Sequence, residues 1–412
     1  MKIAVWHNLP SGGGKRALYY HVRGLVERGH KLECWCPPTA DQTYLSLDDL
    51  LTSHTVAFSW QSRREKRPIS RALAMYYDMV KKIEEMNRHC QRCAEEINRD
   101  GFDLLFANSC MFYGVGPIGR YVEIPKIIYL QEPYRRLYEA MPESPWIAPP
   151  SPKRFWWSPH YLRLFLSNLI QVHGLRLQAR EELWNAQAFD AILVNSRFSR
   201  ESVLRAYGLD AKVCYLGVDT AMFLNRSMRR ENFIVGVGAF TPEKNIRFVI
   251  EALANVQEPR PRLVWVGNFA SSSYLEELKQ LAQSLNVGFE PQVGIDDDKL
   301  VDTLNRASMM VYAPRLEPFG FAPLEANACG LPVIAVAEGG MRETIIDGVN
   351  GLLVEPDIEA AAAAIDRLRS EKEYARELGE NGARLVAEEW SLNASIDRLE
   401  RRLMDVIGSD RR

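Results

Sequence analysis

The sequence predicts an α/β protein built of two doubly wound, Rossmann-like parallel-sheet domains. Three observations lead there. The chain has 412 residues with 47% hydrophobic side chains, enough for two buried cores. Short β-rich runs alternate with longer amphipathic stretches almost throughout. A glycine run, Gly12-Gly13-Gly14, follows directly on the first of those runs. In such sheets ligands bind at the carboxyl ends of the strands, so the loops after the strands are where chemistry belongs.

In the first half the predicted strands are Lys2–Trp6, Lys31–Cys36, Asp103–Ala107, Lys126–Leu130 and Ala191–Val194. In the second they are Phe233–Val237, Arg262–Val266, Met309–Ala313, Pro332–Val336 and Leu352–Val354, with helical patterns at Ser272–Leu285 and Asp298–Ala307. A strand-like Lys212–Leu216 ends in a turn at Gly217, which sets the expected boundary: residues 1–217, then 218–390, then a closing helix within 391–412. Leu392, Ile396, Leu399 and Leu403 give that helix its apolar stripe. The stretch 133–165, rich in Pro, aromatics and Arg, breaks the rhythm and reads as a surface excursion. Its Lys153-Arg154-Phe155-Trp156-Trp157 suits a lipid headgroup interface as well as packing onto its own domain.

Composition excludes several classes. A formal net charge of -2 gives no global basic field for nucleic acid or an anionic membrane. The apolar start of the chain stops at His7-Asn8, unlike a signal peptide, and no run approaches the ~20 apolar residues of a membrane span. The expectation is a cytoplasmic protein, with peripheral contact at the inner face of a membrane left open. Seven cysteines, scattered and odd in number, read as reduced thiols. His89, Cys90 and Cys93 lack a second pair at finger-like spacing and read as surface or half-buried helix residues. Asp296-Asp297-Asp298 precedes a helical pattern and reads as a cap, so no metal is expected. Gly12-Gly13-Gly14-Lys15-Arg16 is not a P-loop, because Leu9 and Arg16 stand where that motif needs Gly and Ser/Thr.

The chemistry concentrates after the strand Met309–Ala313. Glu317 and Glu325 stand eight apart, with Pro318 and Gly320 keeping the first part non-helical and Pro323 starting a helix. A helix N-terminus between two carboxylates offers N–H groups and a positive dipole end to a phosphate, flanked by acceptors for sugar hydroxyls. Lys244, a cation at a predicted helix start, sits against the dipole and so argues for an anionic ligand.

Glu317 to Glu325 resembles the E-x7-E signature of the retaining glycosyltransferases of family 4. Other segments resemble that family's landmarks in the same order: Gly12–Gly14, Asn195–Ser199, Gly236–Asn245, Glu338–Glu343 and Asp347–Gly351. The resemblance implies the GT-B fold, two Rossmann-like domains facing across a cleft, and transfer of a hexose from a UDP- or GDP-hexose to a glycan or lipid-linked glycan in polysaccharide assembly. It implies that Glu325 binds the ribose, Glu317 the donor hexose, and Lys244 the diphosphate. The amides of Phe319, Gly320 and Leu324 would face sugar and diphosphate, and Gly13 and Gly14 would approach the phosphates. No metal or other cofactor is implied, and Glu317 and Lys244 are the catalytic candidates. Two departures stand out. Ala239 occupies the place of a second diphosphate cation, for which Lys15, Arg16, Arg197 or Arg247 are substitutes, and Gln131-Glu132 occupies the place of a donor-facing His. His7, at the end of the first strand, is a further candidate. Two rival readings are a glycoside hydrolase with a carboxylate pair and a nucleotide-sugar-binding protein without turnover.

Overall fold

The computed structural model describes residues 1–60, 68–139, 147 and 158–410. The chain divides into two compact units, one of Met1–Val194, Ser199–Cys214 and Arg398–Arg412, the other of Asn195–Phe198 and Tyr215–Asp397. The excursion's Lys153–Trp157 lies outside the described residues.

The first unit holds seven strands: β1 (Lys2–Asn8), β2 (Lys31–Cys36), β3 (Thr52–Thr55), β4 (Leu104–Cys110), β5 (Lys126–Tyr129), β6 (Ala191–Val194) and β7 (Lys212–Val213). They run parallel in the order β3-β2-β1-β4-β5-β6-β7, with Trp6 in register with both Trp35 and Ala107. The second unit holds β8 (Phe233–Val237), β9 (Arg262–Gly267), β10 (Phe289–Val293), β11 (Met309–Tyr312), β12 (Val333–Val336) and β13 (Gly351–Val354), parallel in the order β10-β9-β8-β11-β12-β13. Central strands such as Ala191–Val194 and Val333–Val336 are buried at every position, as sheets covered on both faces require.

The strand order reverses between β1 and β4 in the first sheet and between β8 and β11 in the second. At such a switch point the neighbouring loops leave to opposite faces and open a crevice at the carboxyl ends. The glycine run follows β1. The Lys244 and Glu317 loops follow β8 and β11.

Three expectations need correction. Thr52–Thr55 and Phe289–Val293 are strands that the sequence pattern did not show. The excursion 133–165 is not wholly a loop: Pro159 opens a helix, Pro159–Gln187, where its missing N–H is harmless, and Arg135–Tyr138 forms a single helical turn. The thiols of Cys90 and Cys93 are fully buried. His89 is a core residue too, its ring nitrogens placed 3.2 Å from Trp6 Nε1 and 3.2 Å from the Val56 carbonyl. Burial lowers the His89 pKa to about 4, so the ring is neutral, accepting from the indole and donating to the carbonyl. Among the described residues no group of three or more His, Cys, Asp and Glu could hold a metal ion, and all seven cysteines are free and buried.

The helix that carries Glu325, Phe321–Ala328, is fixed from behind by two buried asparagines. Asn350 donates 2.9 Å to Asn327 Oδ1 and 3.0 Å to the Thr344 carbonyl, and its Oδ1 accepts from the Ile346 amide. Asn327 donates in turn to the carbonyls of Asn350 and Leu331. The Asp347–Gly351 landmark is therefore a structural lock in this chain. Truncating Asn350→Ala strands the Ile346 amide and the Thr344 and Asn327 oxygens in the interior. A loss of about 2–4 kcal/mol is expected in urea unfolding followed by tryptophan fluorescence, and a loss under about 0.5 kcal/mol would show that the lock does not bear on stability.

Candidate functional site

In the second unit, the predicted pair comes together. Lys244 closes a 3₁₀ turn, Pro242–Lys244, rather than starting an α-helix, and Asn245 follows in the left-handed conformation with φ 53°. Asn245 anchors the turn by donating 3.1 Å to the Ala313 carbonyl, and the Arg315 amide donates back to Glu243. Those bonds tie the loop after β8 to the loop after β11. Lys244 Nζ then lies 2.7 Å from Glu317 Oε2, with both side chains partly exposed, at 27% and 17%. Tyr312, the last residue of β11, also hydrogen-bonds Glu317. Its burial and the neighbouring Glu317 and Glu325 charges hold the phenol well above its ordinary pKa, so it stays a donor.

Gly320, with φ +84°, is the N-cap of Phe321–Ala328, a backbone geometry that disfavours any side chain. Phe319 is buried, its ring against Phe321 and Trp390 at 5.4 and 5.8 Å, and Leu324 and Glu325 are buried inside the helix. The Gly339–Gly340 turn packs directly on the Glu317–Phe319 backbone, where a Cβ on either glycine would overlap it, and the Gly340 amide donates 2.8 Å to the Glu317 carbonyl. The Leu316 amide donates to Glu338 at 3.3 Å. The glutamate loop is thus held on two sides by backbone.

In the first unit, Gly12–Gly14 lines a cavity of about 400 Å³ with Ser109, Met111, Gln131, Glu132 and Arg135. Gly13 and Gly14 open the helix Gly13–Glu27, but the position whose backbone calls for glycine is Gly12, at φ +136°. Glu132 pairs with Arg135 at 2.7 Å, and the Gln131 amide donates to Ser109 at 3.3 Å. His7 is buried, its Nδ1 3.3 Å from the Leu9 amide, and burial followed by the Lys15 charge lowers its pKa to about 3. It is a neutral loop anchor.

The substitutes expected for the missing cation fare differently. Lys15 is only 1% exposed and burial lowers its pKa, so the expectation of a ligand-facing cation is corrected: its side chain fills the core. Arg16 donates 3.0 Å to Tyr44. Arg197 belongs to the second unit, where Glu343 accepts from its amide at 2.9 Å, from the Phe198 amide at 3.0 Å and from Tyr215 Oη at 2.8 Å. Arg247 lies 3.4 Å from Glu251 and, with the exposed Arg315, lines a cavity of about 440 Å³ beside Asn245. Sequence reasoning missed Arg315, and missed the roles of Tyr312, Glu338 and Glu343. Asp296 acts as the expected cap, accepting 2.8 Å from the Lys299 amide.

Two doubly wound domains carry a Lys–Glu pair at the second switch point, and sequence comparison names the family. Residues 11–222 match the family model Glycosyltransferase Family 4, and residues 219–385 match Glycosyl transferases group 1. The chain belongs to glycosyltransferase family 4. It is 26% identical over 239 residues to the human alpha-1,3/1,6-mannosyltransferase ALG2, covering 52% of this chain and 58% of that one. It is 29% identical over 226 residues to a GDP-mannose-dependent phosphatidylinositol monomannoside mannosyltransferase of Mycolicibacterium smegmatis, covering 49% and 58%. The chain spans about half the length of the relatives it matches. Among solved structures, sucrose-phosphate synthase from Thermosynechococcus elongatus superposes with a TM-score of 0.71 at 19% identity, covering 99% of each chain, and HepE from Anabaena with UDP-glucose superposes at 0.67 and 19%, covering 98% and 100%. These establish the GT-B fold.

One buried acid lies behind the first-unit cavity, and no sequence signal marks it. Glu182 accepts from the Gly114 amide at 3.3 Å, Gln178 at 3.1 Å and Tyr207 Oη at 3.1 Å, and burial pushes its pKa up from 4.5 to about 7. The folded state therefore favours the protonated acid. That contribution is complete below about pH 4.5 and is lost as pH rises through about 7. Glu182→Gln removes it. Between about pH 5 and pH 8 the variant should gain up to about 3 kcal/mol on the wild type in urea unfolding, and parallel stability profiles would refute the shift.

Proposed function

We propose that the chain transfers a hexose, with retention, from a nucleotide-sugar to a glycan or lipid-linked acceptor, without a metal or other cofactor. The observation that carries the reading is the Lys244–Glu317 pair three residues before the N-cap of the helix holding Glu325. A partly exposed ion pair is weak in itself. A diphosphate arriving at this N-terminus takes up the lysine and the free helix amides, which releases Glu317 to accept from hydroxyls of the hexose, while Glu325 serves the ribose. Tyr312 keeps Glu317 in place throughout the exchange.

In the reaction, the bond from the sugar C1 to the phosphate oxygen breaks and charge collects on the leaving diphosphate. Lys244 and the amides of Gly320 and its neighbours stabilise that charge where it develops. The acceptor oxygen attacks C1 from the face the phosphate leaves, its proton passes to a phosphate oxygen, and the configuration at C1 is kept. The first-unit cavity with Gln131, Glu132 and Arg135 is the acceptor side of this reading. The relatives are named for mannosyl transfer, one of them from GDP-mannose, so GDP-mannose is the first donor to try, followed by UDP-hexoses.

Calorimetric titration of GDP-mannose, UDP-glucose and ADP-glucose with EDTA present tests the site. One donor should bind, and Lys244→Ala should weaken it by about 100-fold. Proton NMR of the product should show the anomeric configuration of the donor. No binding by any donor in a folded protein would sink the reading, release of free sugar from a glycoside without nucleotide would replace it by a hydrolase, and binding without transfer would leave a sensor.

A further inference from the structure

A cavity of about 690 Å³ opens in the second unit, away from the site described above. Asn232, Ser308 and Pro332 line it, and each stands directly before a strand: β8, β11 and β12 in turn. Lys244 and Glu317 follow the carboxyl ends of β8 and β11, so the cavity lies at the opposite edge of the sheet from that pair. The length of β11, about 10 Å at 3.3 Å per residue, keeps the two apart.

The volume is that of a small-molecule site, and the wall is of the mixed kind such sites have. Met228, Met309, Leu368 and Ala375 give it apolar surface, beside four cations and two carboxylates. Both carboxylates are already engaged, Glu231 by Arg306 and Glu380 by Arg376, each at 2.7 Å. Arg369 pairs with Asp366 at 2.8 Å. That leaves Arg230 and Lys372, which no carboxylate among the described residues neutralises. Arg230 is half-buried and donates only to backbone carbonyls, 2.6 Å to Leu304, 3.4 Å to Ala307 and 2.8 Å to Cys329. Carbonyl dipoles satisfy its N–H groups without cancelling its charge, and burial works against that charge by lowering the guanidinium's pKa. Lys372 is exposed and opens the helix Lys372–Glu389, where a cation sits against the dipole. An anion in the cavity compensates both placements. Two unneutralised cations match the roughly two negative charges that a phosphomonoester carries at neutral pH, and the apolar wall suits an organic body attached to it.

We propose that this cavity is a second ligand site, separate from the catalytic pair, for a small organic phosphate held by Arg230 and Lys372 with its body on the Met228, Met309 and Leu368 wall. Calorimetric titration of the full chain with 1-naphthyl phosphate tests this. The probe carries neither nucleoside nor sugar, so the outcome is independent of the transferase reading. It should bind, and 1-naphthol, the same body without the charge, should bind at least about tenfold more weakly. Lys372→Glu should weaken 1-naphthyl phosphate by at least about tenfold as well, with circular dichroism unchanged, because an acid is favourable at a helix start. Met228→Glu, at an exposed position of the wall, should do the same and decides the matter should Lys372→Glu misfold. Lys244→Ala should leave the affinity as it is. Absence of binding, equal binding by 1-naphthol, or equal affinity in wild type and both glutamate variants would overturn the proposal. So would loss of binding in Lys244→Ala, which would put the probe at the catalytic pair.

Discussion

Both sheets are entirely parallel, and the rest of the structure depends on that constraint. A parallel strand cannot be followed by a hairpin. Each connection returns over one face, and every carboxyl end arrives at the same edge. Residues far apart in sequence, such as Lys244, Glu317 and Gly340, therefore meet without any element being bent toward a ligand. The price is that loops converge where space is shortest. The Gly339–Gly340 turn answers this, since any side chain there would overlap the Glu317–Phe319 backbone. Positions that read as sugar-binding motif in the sequence are, in part, clearance for one loop to lie on another.

The same economy separates support from chemistry within the family's landmarks. Asn350 and Glu343 each hold backbone in place. Asn350 closes a buried amide network behind the Glu325 helix, and Glu343 collects two amides and a phenol, which binds Arg197 and Phe198 within the second unit. A carboxylate receiving three donors is strongly held.

Much of this was legible in the sequence because it is periodic or punctuated. Buried strands such as Ala191–Val194 read as apolar runs, and Asp296 reads as a cap because capping depends on local bonds. The failures have physical causes. β3 and β10 are edge strands, so β3 needs no apolar face and β10 tolerates Pro291, which removes a donor the ladder does not need there. The helix Pro159–Gln187 was hidden because a proline-rich segment leads into it, although Pro159 itself is well placed at a helix start. Glu182 and Arg315 meet neighbours from distant parts of the chain, and Tyr312 meets Glu317 across a loop turn, so no periodic pattern reports them.

Lys15 and Lys244 show how far local reasoning reaches. Both are lysines that follow a strand and a glycine in the sequence. Burial tells them apart. Lys15 is sealed among Cys34, Cys36 and the helix Gly13–Glu27, where desolvation weakens its charge. Lys244 stays a quarter exposed, compensated by the carboxylate of Glu317. A cation buried that deeply cannot reach an arriving anion, whereas one held by a weak, accessible partner can exchange it at little cost. In the proposed reading, with Ala239 in place of a second cation, the second unit meets the diphosphate with that exchangeable pair and the helix amides. On that reading, the quarter-exposed setting of Lys244 is what makes one lysine sufficient for the task.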